Sequence, residues 1–262
     1  MTEVVHPPVT KQCTVRLFSN ESPICFASAN VCSLHANSKY CGDDFDIKSS
    51  CSRLAIIEEM FNSAEFDIVG VQEGRFKVEQ QIAGQHFHIH AAAANERGCY
   101  GCQVWLRNSF KHSVIASIVS NPRLITVVVK PDSYTSLLGI IAAHGPHAGD
   151  DHQVITDFWS MVTYVIGDLR SKFQGISIAL LTDANARTGS VPSSFIGSFN
   201  CEKENYPGQC FRVCIESCEL QAVNKYFASH PFMSTEQVTT LITCVFLVSW
   251  PPGALSPKHM TS

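Results

Sequence analysis

The sequence predicts a layered α/β protein in which two mixed β-sheets pack face to face and helices cover the outside. A strand, a helix and a second strand follow one another between residues 24 and 72, which is typical of α/β layers. Several apolar runs joined by short polar turns come next, which favours antiparallel pairing in addition to a parallel pair. A long amphipathic helix and a further apolar strand complete the pattern.

The first unit is defined by the spacing of its apolar residues. The run ICFASANV at 24 to 31 predicts a buried strand, and a stretch rich in Ser, Asn, Asp and Gly predicts a loop to residue 52. Leu54, Ile57 and Phe61 lie at helical spacing within 53 to 64, and DIVGVQ at 67 to 72 predicts the next strand.

The remaining elements are predicted in the same way. Ile155, Phe158, Val162, Val165 and Leu169 form one stripe of a helix between residues 151 and 171. A further helix is predicted at 207 to 218. Strands are predicted at residues 86–93, 102–107, 113–119, 123–130, 137–144, 176–183, 220–227 and 241–250.

The composition restricts the class of protein. Among 262 residues only 16% are charged, and 19 Lys and Arg against 23 Asp and Glu give a net charge of −4, so no basic nucleic-acid clamp is visible in the totals. The amino terminus has no apolar run typical of a signal peptide, and the run at 241–250 is shorter than the roughly 20 residues that span a bilayer. We therefore expect a soluble intracellular protein with free thiols and no membrane partner, with the nucleus as one compartment.

Cysteine and histidine clusters have alternative interpretations. Cys99 and Cys102 form a CxxC pair, which is half a zinc site, a redox pair or, as we favour, two packed thiols. The cysteines at 210, 214 and 218 recur at helical spacing, which indicates core packing. His86, His88 and His90 share one face of a strand, where three imidazoles suit zinc, but a polar outer face is the simpler interpretation.

Polar side chains follow the apolar runs at the points where we expect strands to end. They are Asn30, Glu73, His144, and Asp183 with Asn185. Binding and catalytic groups gather at strand ends because the sheet holds them rigidly while the loop exposes them. Each residue alone also has a structural interpretation, as a turn former, a solvated carboxylate, a core histidine or a helix cap.

Four segments together resemble the endonuclease/exonuclease/phosphatase superfamily. They are SANVCSLH (28–35), DIVGVQE (67–73), AAHGPHAG (142–149) and LLTDANARTG (180–189), and the resemblance extends from about residue 24 to residue 228. DANAR followed by Thr-Gly is similar to the endonuclease domains of non-LTR retroelements. The resemblance implies a DNase I-like fold, a four-layered α/β/β/α sandwich of two mixed sheets flanked by helices.

The resemblance also implies a metal site and a catalytic site at these strand ends. Glu73 would be the Mg²⁺ ligand, with Mn²⁺ as an alternative ion, because hard cations prefer carboxylate oxygens. Asn30 would contact the metal or the scissile phosphate. Asp183 and Asn185 would orient the attacking water and stabilise the transition state.

Two further residues receive roles from the resemblance. His144 would stabilise or protonate the phosphoryl group or the leaving oxygen. Arg187 would contact a substrate phosphate, with an ordinary surface arginine as the alternative. His147 and His152 lie near the predicted site in sequence, but a solvated loop explains them equally well.

The sequence departs from the family pattern in two places. Thr182 precedes Asp183 where the family has glycine, so we expect a displaced loop. SWPPGALSPKHM (249–260) resembles the run before the last strands, but no Asp-His pair follows, and His259 is not promoted to the base. We expect a loose segment at 1–22, the domain at 23–228 and a diverged end of the same domain at 229–262, with the last strands missing.

The leading hypothesis is an Mg²⁺-dependent, endonuclease-like phosphodiester hydrolase whose activity is weak or absent because the terminal Asp-His pair is missing. Nucleic acid, with DNA expected, would be its substrate class, and no protein partner is predicted. One alternative is a catalytically dead remnant that binds nucleic acid or protein. A second is a phosphatase acting on small phosphoesters or phosphoinositides, because one metal site can serve both substrates.

Overall fold

The chain forms two six-stranded sheets and three helices within the residues that the structure describes. A computed structural model describes residues 13–15, 24–34, 53–222 and 245–248. The predicted loop at 35–52, residues 223–227 of the strand predicted at 220–227, most of the segments 1–22 and 229–262, and His259 lie outside the described residues.

The first sheet is built entirely from the first half of the chain. Its strand order is β1-β2-β3-β6-β5-β4, with β2 and β3 parallel and the other neighbours antiparallel. Helix α1 (Arg53–Ser63) connects the parallel strands. The strands are β1 (Cys13–Val15), β2 (Ile24–Asn30), β3 (Ile68–Gln72), β4 (Gln80–Ala83), β5 (Phe87–Ala91) and β6 (Gln103–Arg107).

The second sheet repeats this plan with the second half of the chain. Its order is β11-β12-β10-β9-β8-β7, and β9 and β10 are the parallel pair. Helix α2 (His152–Lys172) connects them, and α3 (Tyr206–Ser217) follows. The strands are β7 (His112–Asn121), β8 (Leu124–Pro131), β9 (Leu138–His144), β10 (Ser177–Asp183), β11 (Gln221–Ala222) and β12 (Val245–Val248).

Three apolar clusters separate four layers. One cluster, with Phe26 and Leu181, lies between the two sheets. A second, with Phe61 and Trp105, lies between α1 and the first sheet, and a third, with Trp159, lies between the second sheet and α2 and α3. The layer order is therefore α/β/β/α, which confirms the predicted fold class.

The two sheets approach closely beneath the strand ends. A Cβ placed on Gly70 in β3 would lie 2.4 Å from Cβ of Leu181 in β10, so the spacing there depends on glycine. The buried Gln72 side chain donates from Nε2 to the Leu181 carbonyl at 3.2 Å and so links the sheets directly. These contacts fix the relative position of the β3 and β10 ends.

Most predicted elements are confirmed within a few residues. Strands β1 and β4 were not predicted, and β1 lies inside the segment expected to be loose. The apolar run at 241–250 does contain a strand, β12, which pairs with β10 and β11. The cysteines at 214 and 218 are buried, as core packing predicts.

The prediction that the β5 histidines form a polar outer face is wrong for His90. Phe87 and Ile89 pack toward α1, so the alternate residues face the second sheet. His90 is only 1% exposed, and its Nδ1 lies 3.1 Å from Oγ of Ser117 in β7. His88 and His90 do share a face, but alternation could not show that this face is buried at His90, and the His86 ring contacts Glu59 of α1 instead.

Candidate active site at the strand ends

Four polar side chains, two from each sheet, meet at one end of the sandwich. Asn30 ends β2 and Glu73 directly follows β3, the parallel pair of the first sheet. His144 ends β9 and Asp183 ends β10, and these two residues are register partners in the second sheet. We call Asn30, Glu73, His144 and Asp183 the strand-end cluster.

Asn30 connects the two carboxylates of the cluster. Its Nδ2 donates to Oε1 of Glu73 at 3.1 Å and to Oδ2 of Asp183 at 3.0 Å. Its Oδ1 accepts the backbone N–H of Cys32 at 3.1 Å, which fixes the orientation of the amide. Asn30 therefore presents its nitrogen to the carboxylates and holds one from each sheet.

Glu73 is a half-buried carboxylate with hydrogen bonds to both oxygens. In addition to the bond from Asn30, Oε2 accepts from Nη2 of Arg75 in an ion pair. Burial raises the pKa of Glu73, but the hydrogen bonds from Asn30 and Arg75 outweigh burial and leave the pKa below its usual value. The carboxyl group is therefore ionised at neutral pH.

His144 is a buried imidazole with two uncommitted ring nitrogens. It is 1% exposed, and neither Nδ1 nor Nε2 has a hydrogen-bond partner among the described residues. Nε2 lies 3.7 Å from Oε1 of Glu73. Burial lowers the pKa of His144, although Asp183 and Glu73 oppose the shift, so the ring is neutral at pH 7. A neutral ring offers one donor and one acceptor to a bound molecule.

Asn185 lies beside the strand-end cluster, whereas the Arg187 side chain is exposed to solvent. The Asn185 side chain donates from Nδ2 to the Gly145 carbonyl at 2.9 Å, so it connects the loops after β9 and β10. Its backbone N–H donates to Oδ1 of Asp183 at 3.3 Å. The Arg187 side chain is 67% exposed and lies 3.9 Å from Glu202. Thr182 is buried in β10 and does not keep Asp183 from Asn30.

The structure adds three residues that sequence reasoning did not identify. Arg75 pairs with Glu73, while Tyr100 and Arg123 lie beside His144. Arg123 donates to Oη of Tyr100 at 2.5 Å and to the His144 carbonyl at 3.3 Å, with its guanidinium over the Tyr100 ring. Only Arg75 carried a signal in the sequence, because it lies two residues after Glu73 in QEGR.

His147, in the loop after β9, and His152, at the start of α2, lie outside the strand-end cluster. The His147 ring lies 6.0 Å from the His144 ring, centroid to centroid, and is exposed. His152 stacks on Tyr206 with a centroid separation of 3.8 Å. Within the ranges described, no three His, Cys, Asp or Glu side chains form a closed metal site, and no helix is long and apolar enough to cross a membrane.

Comparison with known proteins shows the fold and no closer relationship. No family model matches the sequence, and no curated protein matches it. An AP endonuclease from Leishmania major superimposes with a TM-score of 0.55 and 12% identity, over 85% of this chain and 77% of that chain. The endonuclease domain of TRAS1, a telomere-specific non-LTR retrotransposon, gives 0.48 and 12%, over 85% and 84%. The chain therefore has a DNase I-like fold.

Proposed function

We propose that this chain is a metal-dependent phosphodiester hydrolase that acts on nucleic acid, with DNA as the expected substrate. The main support is the strand-end cluster, in which two carboxylates and a buried imidazole converge at one end of a DNase I-like sandwich. The AP endonuclease that shares this fold supports the substrate class. The retroelement branch rests on the DANAR and Thr-Gly motif alone.

The donor set of the cluster fits Mg²⁺ or Mn²⁺. Mg²⁺ keeps most of its waters and needs only one or two protein carboxylates, so a closed cage of three side chains is not required. Glu73 would hold the ion, and Asp183 lies within reach of the same amide nitrogen of Asn30. When bound, the ion would polarise the phosphoryl oxygens and offset their charge. We expect Asn30 to position the carboxylates rather than to supply its oxygen.

The remaining residues would align the reactants and move the protons. Asp183 would accept a hydrogen bond from the attacking water and orient it toward the phosphorus. Its own position is fixed by Asn30 and by the backbone N–H of Asn185. His144, neutral and without a hydrogen-bond partner in the described part of the chain, would donate from one ring nitrogen to a phosphoryl oxygen. Arg187, exposed at the rim, would contact a neighbouring phosphate.

We expect slow turnover. In the described part of the site no histidine ring nitrogen is hydrogen-bonded to an aspartate, so no imidazole is oriented as a strong general base. The absence of such a base costs on the order of 10²–10⁴ in rate.

A plasmid-nicking assay with Mg²⁺ or Mn²⁺ tests the proposal. We expect slow, metal-dependent nicking that Glu73→Gln abolishes, because the substitution removes the charge that would hold the ion. Glu59→Gln is the matched control, since Glu59 is an exposed carboxylate on α1. Nicking that is unchanged by Glu73→Gln would contradict the assignment.

The same preparations separate the alternatives. Salt-sensitive DNA binding with no nicking at any metal concentration would favour a non-enzymatic remnant. Phosphate release from phosphoinositides with intact plasmid would favour a small-phosphoester phosphatase.

A further inference from the structure

Arg75 forms an ion pair with Glu73, the carboxylate that would hold the metal ion. Its guanidinium pairs with Oε2 of Glu73, and the Arg75 side chain is 37% exposed whereas that of Glu73 is 14% exposed. The other Glu73 oxygen accepts from Asn30. A cation of the protein therefore already neutralises Glu73.

The backbone around this ion pair is fixed by hydrogen bonds to two other loops. The carbonyl of Glu73 accepts the N–H of Ser33 at 2.8 Å, and the N–H of Arg75 donates to the Tyr100 carbonyl at 3.0 Å. Glu73 and Arg75 both have left-handed backbone angles, with φ of 56° and 58°. Such conformations persist for side chains only where the surroundings hold them. The Arg75 guanidinium can therefore change partners by side-chain rotation, without movement of the loop.

A metal ion bound to Glu73 would free Arg75 to bind a phosphate. Glu73 and Asp183 place two carboxylates around one amide, and among the described arginines and lysines only Arg75 forms an ion pair with either of them. A divalent ion at Glu73 competes with Arg75 because both bind the same carboxylate. The Arg75 side chain is 37% exposed, and its Nε has no hydrogen-bond partner in the described ranges, so a rotated guanidinium has donors available for an anion. Arginine recognises phosphate through paired donors.

We propose that Arg75 is a built-in counter-ion of Glu73 that exchanges partners. It leaves Glu73 when a divalent ion binds and then binds a substrate phosphate, so metal and phosphodiester bind cooperatively. The inference rests on the proposed function, since it assumes that Glu73 holds a metal ion. Without the metal, Arg75 neutralises Glu73 and is withheld from the substrate.

Cooperative binding is reciprocal, which makes the exchange measurable without turnover. If DNA tightens metal binding by some factor, the metal must tighten DNA binding by the same factor, and such couplings are typically about 5- to 150-fold. Removal of the Arg75 charge should raise the metal affinity of the free protein and lower the coupling between metal and DNA. The free protein gains metal affinity because its competitor is lost, and the coupling to DNA disappears.

The experiment measures Mn²⁺ affinity by electron paramagnetic resonance, with and without a duplex oligonucleotide in which phosphorothioate linkages block hydrolysis. For the unmodified chain we expect the duplex to tighten Mn²⁺ binding about tenfold, within the usual range of coupling. Arg75→Gln should bind Mn²⁺ about tenfold more tightly in the absence of duplex and show no further tightening when duplex is added. Arg75→Lys keeps the charge and should restore part of the coupling.

Two controls separate the inference from the proposed function. Arg97→Gln removes one positive charge from an exposed loop residue and should behave as the unmodified chain. Glu73→Gln should weaken Mn²⁺ binding; if it does not, the metal site itself is wrong. If Glu73→Gln weakens binding but Arg75→Gln leaves either Mn²⁺ affinity or the duplex effect unchanged, the metal site stands and the counter-ion proposal is overturned. Circular dichroism of each variant checks that it is folded.

Discussion

Two buried histidines of this molecule have the same exposure and very different surroundings. His144 and His90 are each 1% exposed, and burial lowers the pKa of both. His144 faces Glu73 and Asp183, and both its ring nitrogens are free of partners among the residues described. His90 lies at the edge of the sandwich beside His88, and one ring nitrogen contacts Ser117.

The difference shows that the neighbours, rather than burial, decide what a buried imidazole can do. Carboxylates beside His144 favour a positive charge there. Imidazoles beside His90 have no such charge, and they make a positive charge there unfavourable. His144 therefore has the surroundings of a candidate functional site, whereas the surroundings of His90 only make the stability of the fold sensitive to acid.

The largest expected effect separates the two histidines by activity. His144→Asn should lower metal-dependent nicking by about 10²-fold or more, because it replaces the imidazole that we propose as the donor to the phosphoryl group with a shorter amide. His90→Asn should leave nicking within about twofold, as expected of a residue outside the machinery. Initial rates on supercoiled plasmid measure both. Equal losses in the two variants would remove the distinction between the sites.

The second effect is on the pH dependence of stability. Burial, together with His88 and His112, lowers the pKa of His90 to about 4, whereas the unfolded chain has an ordinary imidazole. The unfolded state therefore binds the proton first, so stability is full above the unfolded pKa and is lost as pH falls toward the folded value. The expected loss is about 3 kcal/mol between pH 7 and pH 4.

Urea denaturation across this pH range measures the effect. His90→Asn should flatten the pH dependence, whereas His152→Asn, at an exposed histidine, should retain it. Identical pH profiles for His90→Asn and the unmodified chain would show that His90 is not the titrating group.

The smallest effect concerns the sheet spacing beneath the strand-end cluster. Gly70→Ala should cost about 1–3 kcal/mol, because the new methyl group would overlap Leu181. Gly167→Ala is the matched control: Gly167 lies in α2 with no atom close to an added Cβ, so alanine should stabilise by about 0.5–1 kcal/mol. Thermal or chemical unfolding of both variants measures this difference. A neutral Gly70→Ala would mean that the sheets adjust their spacing.

The layers and the strand-end residues could be predicted because both depend on local patterns. Buried strands are apolar runs, and a polar residue at the end of each run is visible in the sequence. The parallel pairs bring Asn30 to Glu73 and His144 to Asp183, whereas the meeting of Asn30 with Asp183 depends on how the two sheets pack. The roles of these residues remain predictions.

Other features depend on tertiary contacts that leave little or no local signal. Strand β4, with the sequence QQIA, is too polar to be read as a strand and forms by pairing with β5. Arg123 and Tyr100 meet His144 only because two loops converge on the end of β9. The orientation of the Arg75 side chain depends on the left-handed backbone conformation of Glu73 and Arg75, on either side of Gly74, which the sequence does not reveal.

Because each sheet is formed by its own half of the chain, the strand-end cluster exists only when the two halves pack together. Every strand of the first sheet precedes every strand of the second, and each sheet contributes two side chains to the strand-end cluster. Neither half alone contains the whole cluster. Packing of the two sheets through Gln72 and the Gly70 contact is therefore what assembles the site. A change that separated the sheets would divide the cluster even if every helix and strand stayed intact.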